Sequence, residues 1–247
     1  MASKIRVLVN GAKGRMGSEA VKAVNGSEEM MVVAQTDLGD DLARKIAESN
    51  AEVVVDLTAP SCAYANALII QKSKAGGVIG TTGFTAEQVE NLKIQCQGKK
   101  PALLIAPNFA IGALLMMHCS QIVAKYLPDV EIIELHHEKK LDAPSGTAVK
   151  TAELIQKNRG IGTVPRGTNE SSARGERIQD IPIHSVRLPG LLAHQTVLFG
   201  GEGQTLTIRH DSINRGCFMP GILLGIREVM KKEGLIYGLE NLLFDES

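Results

Sequence analysis

The sequence contains no tryptophan, and aromatic residues make up only 3% of its 247 residues. Stacking platforms for single-stranded nucleic acid are therefore not expected. Lysine plus arginine and aspartate plus glutamate each number 27, so the net charge is zero and no overall field favours nucleic acid or an anionic membrane. Any charged ligand must be held by local groups.

The four cysteines are few and far apart in the chain, at Cys62, Cys96, Cys119 and Cys217. With no Cys-x-x-Cys pair and no clustered histidines at metal-ligand spacing, neither a disulfide framework nor a metal site is expected. The longest apolar runs, such as residues 111–117, are far below the ~20 residues that a membrane-spanning helix needs. The first residues also lack the apolar core of a signal peptide. We expect a cytoplasmic protein with no membrane or nucleic-acid partner.

Residues 1–108 alternate short β-branched runs with longer helical patterns, which is typical of parallel strands joined by crossover helices. The patterns predict strands at residues 5–10, 31–36, 53–58, 77–80 and 102–106, and helices at 16–24, 41–49, 61–75 and 86–97. Right-handed crossovers place the carboxyl ends of all these strands along one edge, where a doubly wound sheet binds its ligand.

The pattern changes after residue 108. It predicts helices at residues 110–123 and 145–157, a strand at 130–135 and a mobile loop at 160–176, then strand-like runs with glycine punctuation between 181 and 213. A last helix at 219–232 is expected to return to the first domain. The fold class is therefore α/β, with a Rossmann-type doubly wound parallel sheet formed by residues 1–108 and 215–247. A second α+β domain, residues 109–214, carries a mixed or antiparallel sheet.

A glycine-rich turn follows the first predicted strand and opens the first helix, with the sequence Gly11, Ala12, Lys13, Gly14, Arg15, Met16, Gly17. Glycines let the backbone approach a pyrophosphate, whose charge is met by the amides at the helix N-terminus. The spacing is G-x-x-G-x-x-G rather than the usual G-x-G-x-x-G, so a turn that serves only packing is the alternative.

Asp37 ends the second predicted strand about 20 residues further on, where an acid accepts hydrogen bonds from the adenosine ribose. The following Leu38 and Gly39 supply no base for a 2′-phosphate, which favours NADH. Lys13 and Arg15 could nevertheless neutralise that phosphate. We therefore expect both NADH and NADPH to be used.

Two further turns close the fourth and fifth predicted strands, at the same edge of the sheet. Their residues are Gly80, Thr81 and Thr82, and Ala106, Pro107, Asn108 and Phe109. Small residues and backbone groups there could hold a nicotinamide ring against a substrate. Ordinary turn chemistry is the alternative, since Gly, Thr and Pro-Asn all favour loops.

The densest chemistry lies in residues 134–148, where His136, His137 and Lys140 precede a Pro-Ser-Gly-Thr helix start. Histidine can give or take a proton near neutral pH, and lysine supplies positive charge. The amides of Gly146 and Thr147 would form a carboxylate site at the helix N-terminus. An anionic substrate and a protonation step are indicated, although a solvated strand edge leading into a capped helix is the alternative. Strict strand alternation separates His137 from His136 and Lys140, so convergence requires the strand to break near His137.

These residues resemble a known signature. Glu-Leu-His-His-x-x-Lys-x-Asp-Ala-Pro-Ser-Gly-Thr-Ala is similar to that of the 4-hydroxy-tetrahydrodipicolinate (dihydrodipicolinate) reductase family of bacterial lysine and diaminopimelate biosynthesis. Gly-Ala-Lys-Gly-Arg-Met-Gly, Gly-Thr-Thr-Gly-Phe and Ala-Pro-Asn-Phe-Ala-Ile-Gly agree with the family in the same order. The resemblance covers essentially the whole chain.

The resemblance implies that NADH or NADPH binds along residues 11–16, with Asp37 at the ribose and the turns at 80–82 and 106–109 near the nicotinamide. It implies that His136 is the proton donor or shuttle and Lys140 a second donor. The residues implied to hold the carboxylates of a small dicarboxylate substrate are His137, Lys140, Gly146, Thr147 and Thr82. It further implies that hydride passes to ring C4 of the substrate and that a proton is added at the adjacent carbon. The sheet of the second domain is implied to build a homotetramer.

Two rival functions stay open at this point. Another two-domain nicotinamide oxidoreductase is one, but a semialdehyde enzyme would need an activated cysteine, and none of the four cysteines has a persuasive histidine or basic partner nearby in sequence. A catalytically silent NAD(H)-binding sensor is the other, since fold alone does not exclude it. A silent relative would be expected to lose His136 or Lys140, and both are present.

Overall fold

The computed structural model describes residues 3–159 and 172–244. The strands, in chain order, are β1 (Ile5–Asn10), β2 (Met30–Thr36), β3 (Val53–Asp56), β4 (Gly76–Ile79), β5 (Leu103–Ile105), β6 (Asp129–His136), β7 (Glu176–Ile178), β8 (Ile181–Arg187), β9 (Ala193–Gly201), β10 (Gln204–Ser212) and β11 (Leu235–Tyr237). The α-helices are α1 (Arg15–Asn25), α2 (Leu42–Ser49), α3 (Pro60–Lys72), α4 (Ala86–Cys96), α5 (Ile111–Ala124), α6 (Gly146–Asn158), α7 (Met219–Val229) and α8 (Glu240–Leu243). Short 3₁₀ helices occupy Ser172–Arg174 and Arg215–Phe218.

The chain divides into two compact units. Unit 1 comprises Met1–Ala110 and Arg215–Ser247, and unit 2 comprises Ile111–Asn214. Each unit holds one sheet, because β1 to β5 and β11 pair with one another and β6 to β10 pair with one another.

Unit 1 is built on a parallel sheet of order β11-β5-β4-β3-β1-β2. The central strands are buried on both faces, as Val7–Val9 of β1 and Val53–Val55 of β3 show by having no exposed surface. Such continuous apolar strands are typical of a parallel sheet covered by helices on both sides. The strand order reverses between β1 and β3, which makes the carboxyl ends of these two strands the expected ligand crevice.

Local sequence signals start several helices. Asp41 caps α2 by accepting a hydrogen bond from the Arg44 amide at 3.0 Å. Thr85 and Gln88 form a reciprocal capping box at α4. Ser145 caps α6, its hydroxyl accepting from the Ala148 amide at 3.3 Å. These caps satisfy amides that a helix start otherwise leaves without partners.

Unit 2 is built on a mixed sheet of order β10-β9-β6-β8-β7, in which only β6 and β8 run parallel. Alternate side chains of β6, those of Val130, Ile132 and Glu134, are fully buried. Helices α5 and α6 pack against each other and on this sheet. The inward position of Glu134 places an ionisable group in the core of the unit.

The structure confirms the predicted combination of a Rossmann-type parallel sheet and a mixed sheet, with two corrections to the elements. The sequence patterns missed the C-terminal elements, namely β11, an edge strand of three residues that pairs with β5, and the four-residue helix α8. The predicted loop at 160–176 is wrong at its end, because a 3₁₀ helix and the start of β7 lie there; residues 160–171 lie outside the described residues. The β7–β8 hairpin is hard to predict because its turn places Gln179 and Asp180, neither a glycine, at positive φ.

No helix in the described part of the chain is both long enough and apolar enough to span a membrane.

Candidate active site

The glycine loop after β1 requires residues without a side chain. Gly11 has a φ of +79°, and a Cβ there would lie 2.9 Å from the Leu57 carbonyl oxygen. A Cβ on Gly17 would lie 2.0 Å from the Gly11 carbonyl oxygen, so α1 packs directly on the loop. Gly14 caps α1, and the first turn of the helix contains no acidic residue. The loop therefore leaves the positive end of α1 available to an anion.

Asp37 lies at the end of β2 and is tied to the glycine loop. Its two carboxylate oxygens accept hydrogen bonds from the backbone amides of Leu38 and Lys13, each at 2.9 Å. These bonds, that of Leu38 first, hold the pKa of Asp37 below its usual range. The carboxylate thus stays ionised and is fixed where the sequence predicted a ribose acceptor.

A cavity of about 430 Å³ lies at the carboxyl ends of β1, β2 and β3. It brings together the predicted residues Gly11, Gly14 and Asp37. Leu38 and Gly39, which follow Asp37, also line it. The sequence analysis missed the rest of the lining, formed by Asn10, Asp40, Leu42, Leu57, Thr58, Ala59, Cys62 and Asn66. Of the remaining loop residues, Ala12 is buried, Met16 is half-buried, and Lys13 and Arg15 are exposed.

A buried hydrogen-bond network around Asp56 fixes three of the residues that line this cavity. Asp56, at the end of β3, has no exposed surface and accepts hydrogen bonds from Asn10 (3.1 Å), Thr58 (2.8 Å) and Asn66 (3.1 Å). Burial raises the pKa of Asp56, against the effect of these donors. In the sequence, Asp56 could have been recognised as an acid that directly follows three apolar valines and precedes Thr58 by two residues.

The turns after β4 and β5 meet the same edge of the sheet. A Cβ on Gly80 would lie 2.6 Å from Leu57 Cδ2 and 2.8 Å from Phe109 Cε2, so the Phe109 ring requires a glycine there. The buried Thr81 hydroxyl donates to the Thr58 carbonyl oxygen at 3.1 Å. Leu57 and Thr58 thus connect these turns to the glycine loop.

The other predicted residues of these turns differ in accessibility. Ala106 is buried and its amide donates to the Ile79 carbonyl oxygen at 2.9 Å, so its side chain is not open to a ligand. Asn108 uses its side-chain oxygen to accept from the Ala110 amide at 2.9 Å. Thr82 and Pro107 are exposed.

In unit 2, strand β6 ends at His136 and a turn follows, in which the Lys140 amide donates to the His137 carbonyl oxygen at 3.1 Å. This is the break in the strand that convergence of the three side chains requires. His137 and Lys140 are half-buried, and the His136 side chain is 13% exposed.

Glu134 is the centre of the polar contacts in unit 2. The Nδ1 atom of His136 contacts its Oε2 atom, and the Ser145 amide donates to Oε1 at 3.2 Å. The Arg187 guanidinium donates to both oxygens, at 2.9 and 2.8 Å. Arg187 reaches the carboxylate because its strand, β8, pairs with β6 and places Arg187 beside His136.

Arg187 also holds the loop between β6 and α6. Its guanidinium donates to the carbonyl oxygens of Asp142, at 2.6 Å, and Lys140, at 3.3 Å. The sequence reasoning gave neither Glu134 nor Arg187 a role in the site. Glu134 stood within the signature, but nothing local in the sequence links it to an arginine 53 residues away.

Lys140 is already engaged by an acid. Its Nζ atom donates to both oxygens of Asp142, at 2.7 and 2.8 Å. The hydrogen bonds from Lys140 lower the pKa of the exposed Asp142 carboxyl, so this carboxylate stays ionised at neutral pH. A substrate carboxylate at Lys140 would have to compete with Asp142.

The start of α6 offers two amides. Gly146 is exposed and Thr147 half-buried, and within residues 3–159 and 172–244 their backbone N–H groups have no acceptor. The structure links them to His136 through Ser145, whose amide bonds Glu134. His136, Lys140, Gly146 and Thr147 are therefore held by one network, whereas His137 stands only at the start of the turn.

Comparison with known proteins places the chain among reductases. The sequence profiles of dihydrodipicolinate reductase match residues 5–109 (N-terminus) and 112–243 (C-terminus). The chain belongs to the dihydrodipicolinate reductase family. The family membership that the signature predicted is therefore confirmed. The prediction that the protein is an oxidoreductase acting with a nicotinamide cofactor is confirmed with it.

Individual relatives agree with this family. A protein of Coxiella burnetii named 4-hydroxy-tetrahydrodipicolinate reductase is 49% identical, over 97% of this chain and 99% of its own. One of Moorella thermoacetica with the same name is 44% identical, over 98% and 99%. The solved structure of a dipicolinate-bound dihydrodipicolinate reductase from Paenisporosarcina sp. TG-14 is similar with a TM-score of 0.87 and 43% identity, covering 97% of this chain and 100% of that one.

The contacts of Glu134 predict how stability depends on pH. Burial alone would raise the pKa of this carboxyl, but hydrogen bonds from His136 and Arg187 outweigh it and lower the pKa from 4.5 to about 2. A depressed pKa contributes stability that is present above pH 4.5 and is lost as the pH falls towards 2. The shift corresponds to about 3 kcal/mol.

We therefore expect the free energy of unfolding to fall between pH 5 and pH 2, and to fall by about 3 kcal/mol less in Glu134→Gln. Urea unfolding followed by circular dichroism at several pH values measures this difference. Equal slopes for the two proteins over this range would contradict the assignment.

Proposed function

We propose that this chain reduces the 4-hydroxy-tetrahydrodipicolinate intermediate to tetrahydrodipicolinate, with NADH or NADPH, in cytoplasmic lysine and diaminopimelate biosynthesis. The observation that carries the proposal is the single network in unit 2 that joins His136, Lys140 and the amides of Gly146 and Thr147. It combines a proton donor with groups for carboxylates, as a reductive step on a dicarboxylate needs. The names of the relatives support the same reaction.

The two domains have different roles in this reaction. Residues 1–108 and 215–247 form the dinucleotide-binding domain, and residues 109–214 form the domain for substrate binding and oligomerisation. The glycine loop and the cavity beside it belong to unit 1, whereas the His136 network belongs to unit 2.

The residues of unit 1 suit a reduced nicotinamide dinucleotide. The loop at Gly11 would hold the pyrophosphate on α1, and Asp37 would accept hydrogen bonds from the adenosine ribose. The turns at residues 80–82 and 106–109 would border the nicotinamide, with Thr81 fixed by Thr58. When bound, the reduced nicotinamide supplies the hydride.

The choice between NADH and NADPH depends on Asp37 and its basic neighbours. The ionised carboxylate of Asp37 favours a ribose with a free 2′-hydroxyl and repels a 2′-phosphate. Lys13 and Arg15 are exposed in the loop and can neutralise such a phosphate. We propose that both cofactors are used.

The residues of unit 2 bind the dicarboxylate and give the proton. Gly146 and Thr147 offer free amides to one carboxylate, and Lys140 exchanges Asp142 for a carboxylate of the substrate. His137 is a further contact to these groups from unit 2, and Thr82 is the substrate contact that we propose for unit 1. His136 protonates the carbon next to the one that receives the hydride, with Lys140 as a second donor.

The first experiment follows oxidation of NADH and NADPH at 340 nm while the synthase of the pathway makes the substrate in situ from pyruvate and aspartate semialdehyde. We expect oxidation that depends on the synthase, and the ratio of the two rates ranks the cofactors. Tight cofactor binding without turnover would instead favour a silent sensor or a different substrate.

His136→Gln tests the proton donor. We expect kcat to fall by ~10²–10⁴-fold, as loss of a general acid usually causes, while the Kd of NADH measured by fluorescence titration is unchanged. A fall in kcat of less than about tenfold would reject His136 as the donor.

We further propose a homotetramer built on the sheet of unit 2. Side chains of β6 and β9 that point away from the buried set, those of Ile133, Leu135 and Leu198, form a half-buried apolar strip that ends beside Glu131, the cross-strand partner of Leu198. Such a strip favours association with another copy. Light scattering should give a mass near four times 26.4 kDa.

Leu198→Glu should dissociate this assembly, because it places a charge in the apolar strip. Ile122→Glu serves as the control, since Ile122 is an apolar residue of unit 2 that is 47% exposed on α5. A monomeric unmutated protein at micromolar concentration would reject the proposed tetramer.

A further inference from the structure

The roles proposed above for His136 and Lys140 do not explain why Glu134 and Arg187 form a buried ion pair beside them. We infer that Glu134, clamped by Arg187, is a positioning residue that fixes the imidazole of His136 with its Nδ1–H on Glu134 and its Nε2 atom as the site of proton exchange with substrate. The inference rests on the proposed function, because it assigns the proton of that reaction to a particular ring atom.

The burial of Glu134 is the first argument. The carboxylate has no exposed surface and occupies an inward position of β6, between Ser185 of β8 and Gln195 of β9. Four donors surround it, one from His136, one from Ser145 and two from Arg187. A buried ion pair is a weak means of gaining stability, since apolar side chains of similar volume often serve as well. Its stabilising effect alone therefore gives little reason for the arrangement.

The hydrogen-bonding capacity of the groups gives the second argument. An ionised carboxylate only accepts hydrogen bonds, so the His136 nitrogen that contacts Glu134 must carry a hydrogen. The neutral ring then has its lone pair on Nε2, and the protonated ring has a second N–H there. Within the described residues, Nε2 has no hydrogen-bond partner.

Protons balance in this arrangement. The 4-hydroxyl group of the substrate and a hydrogen of the adjacent carbon first leave as water, which creates a C=C bond. The hydride then enters C4, and the Nε2–H bond of the imidazolium breaks as a C–H bond forms at the adjacent carbon. The imidazole is left neutral with Nδ1–H still on Glu134. Its side chain is 13% exposed, so water can return the proton to Nε2.

Arg187 supplies the third argument because it fixes both donors at once. Two parallel hydrogen bonds hold the Glu134 carboxylate in one orientation. The same guanidinium donates to the carbonyl oxygens of Lys140 and Asp142, and so holds the loop that carries the second donor. Groups that orient a functional histidine commonly affect activity by 10–100-fold when removed.

Nitrogen NMR of the unmutated protein tests the orientation without any substrate. With ¹⁵N in the histidine rings and His136→Gln to assign the signals, we expect neutral His136 to carry its hydrogen on Nδ1. A hydrogen on Nε2 would overturn the inference. Because no turnover is needed, this result is independent of the proposed function.

A double-mutant cycle in kcat separates positioning from general support. Glu134→Gln should lower kcat by about 10–100-fold and leave the Kd of NADH unchanged. In a His136→Gln background the same change should lower kcat by less than about twofold, because Glu134 acts through His136. Equal effects in both backgrounds would overturn the inference, whereas an unmutated protein without turnover would reject the proposed function instead.

Glu131→Gln is the matched control. Glu131 lies on the same strand and also contacts a histidine, His184 at 2.9 Å, and an arginine, Arg174, but on the opposite face of the sheet. The kcat of the Glu131→Gln variant should stay within about twofold of the unmutated value. An equal loss in Glu131→Gln would show that any broken ion pair on β6 impairs the enzyme, and would overturn the specific role of Glu134.

Arg187→Lys is the second variant if Glu134→Gln does not fold. Lysine keeps the positive charge but cannot form two parallel hydrogen bonds to the carboxylate. We expect the NMR signals of His136 to keep the hydrogen on Nδ1 and kcat to fall at least fivefold. An unchanged kcat would overturn the role of the clamp.

Discussion

A carboxylate without exposed surface must have its charge met by protein groups, and Glu134 imposes this constraint on unit 2. Its donors come from three separate parts of the unit: His136 on the same strand, Arg187 on β8 and Ser145 at the start of α6. Satisfying one buried charge therefore fixes the position of a strand end, a loop and a helix start together. The proposed proton donor and the proposed carboxylate amides are the groups so fixed.

Unit 1 solves a similar problem with different chemistry. Asp56 is also buried, but its donors are the neutral side chains of Asn10, Thr58 and Asn66. Without a cation, burial dominates and the pKa of Asp56 is raised, whereas the pKa of Glu134 is lowered to about 2. Both carboxylates organise the carboxyl end of a strand beside a proposed ligand site. The paired one can keep its charge at all physiological pH values, and the other is adapted to hold polar side chains in place.

Much of the fold follows from sequence because it depends on local patterns. A few neighbouring residues are enough to predict buried strands such as Val53–Asp56, helix caps such as Asp41 and the glycines at positions 11 and 17. The family signature likewise assigns roles to His136 and Lys140, which stay predictions. The short edge strand β11 escaped prediction because its three residues show no period, and only pairing with β5 makes them a strand.

The site residues that the sequence analysis did not predict were missed for one common reason. Arg187 and Glu134 are 53 residues apart, and Asn66 and Asp56 belong to different elements. Their contacts arise from the pairing of β6 with β8 and the packing of α3 on the sheet, which spacing along the chain does not record. Sequence therefore indicates which residue types perform chemistry, and the tertiary fold determines which buried groups orient them.

The ion pair of Lys140 and Asp142 differs from that of Glu134 and Arg187, because its charges can exchange partners whereas the buried charges are fixed. Asp142 is well exposed, so its ion pair with Lys140 is of the kind that contributes only about 0.2–1 kcal/mol. Arg187 holds the backbone of both residues but neither charged end. The ammonium of Lys140 can therefore leave Asp142 for a substrate carboxylate at small cost while the loop stays in place. Under the proposed function, the buried pair would stay intact on substrate binding because breaking it would leave a charge without a partner in the core. The exposed pair would open because water solvates the released Asp142.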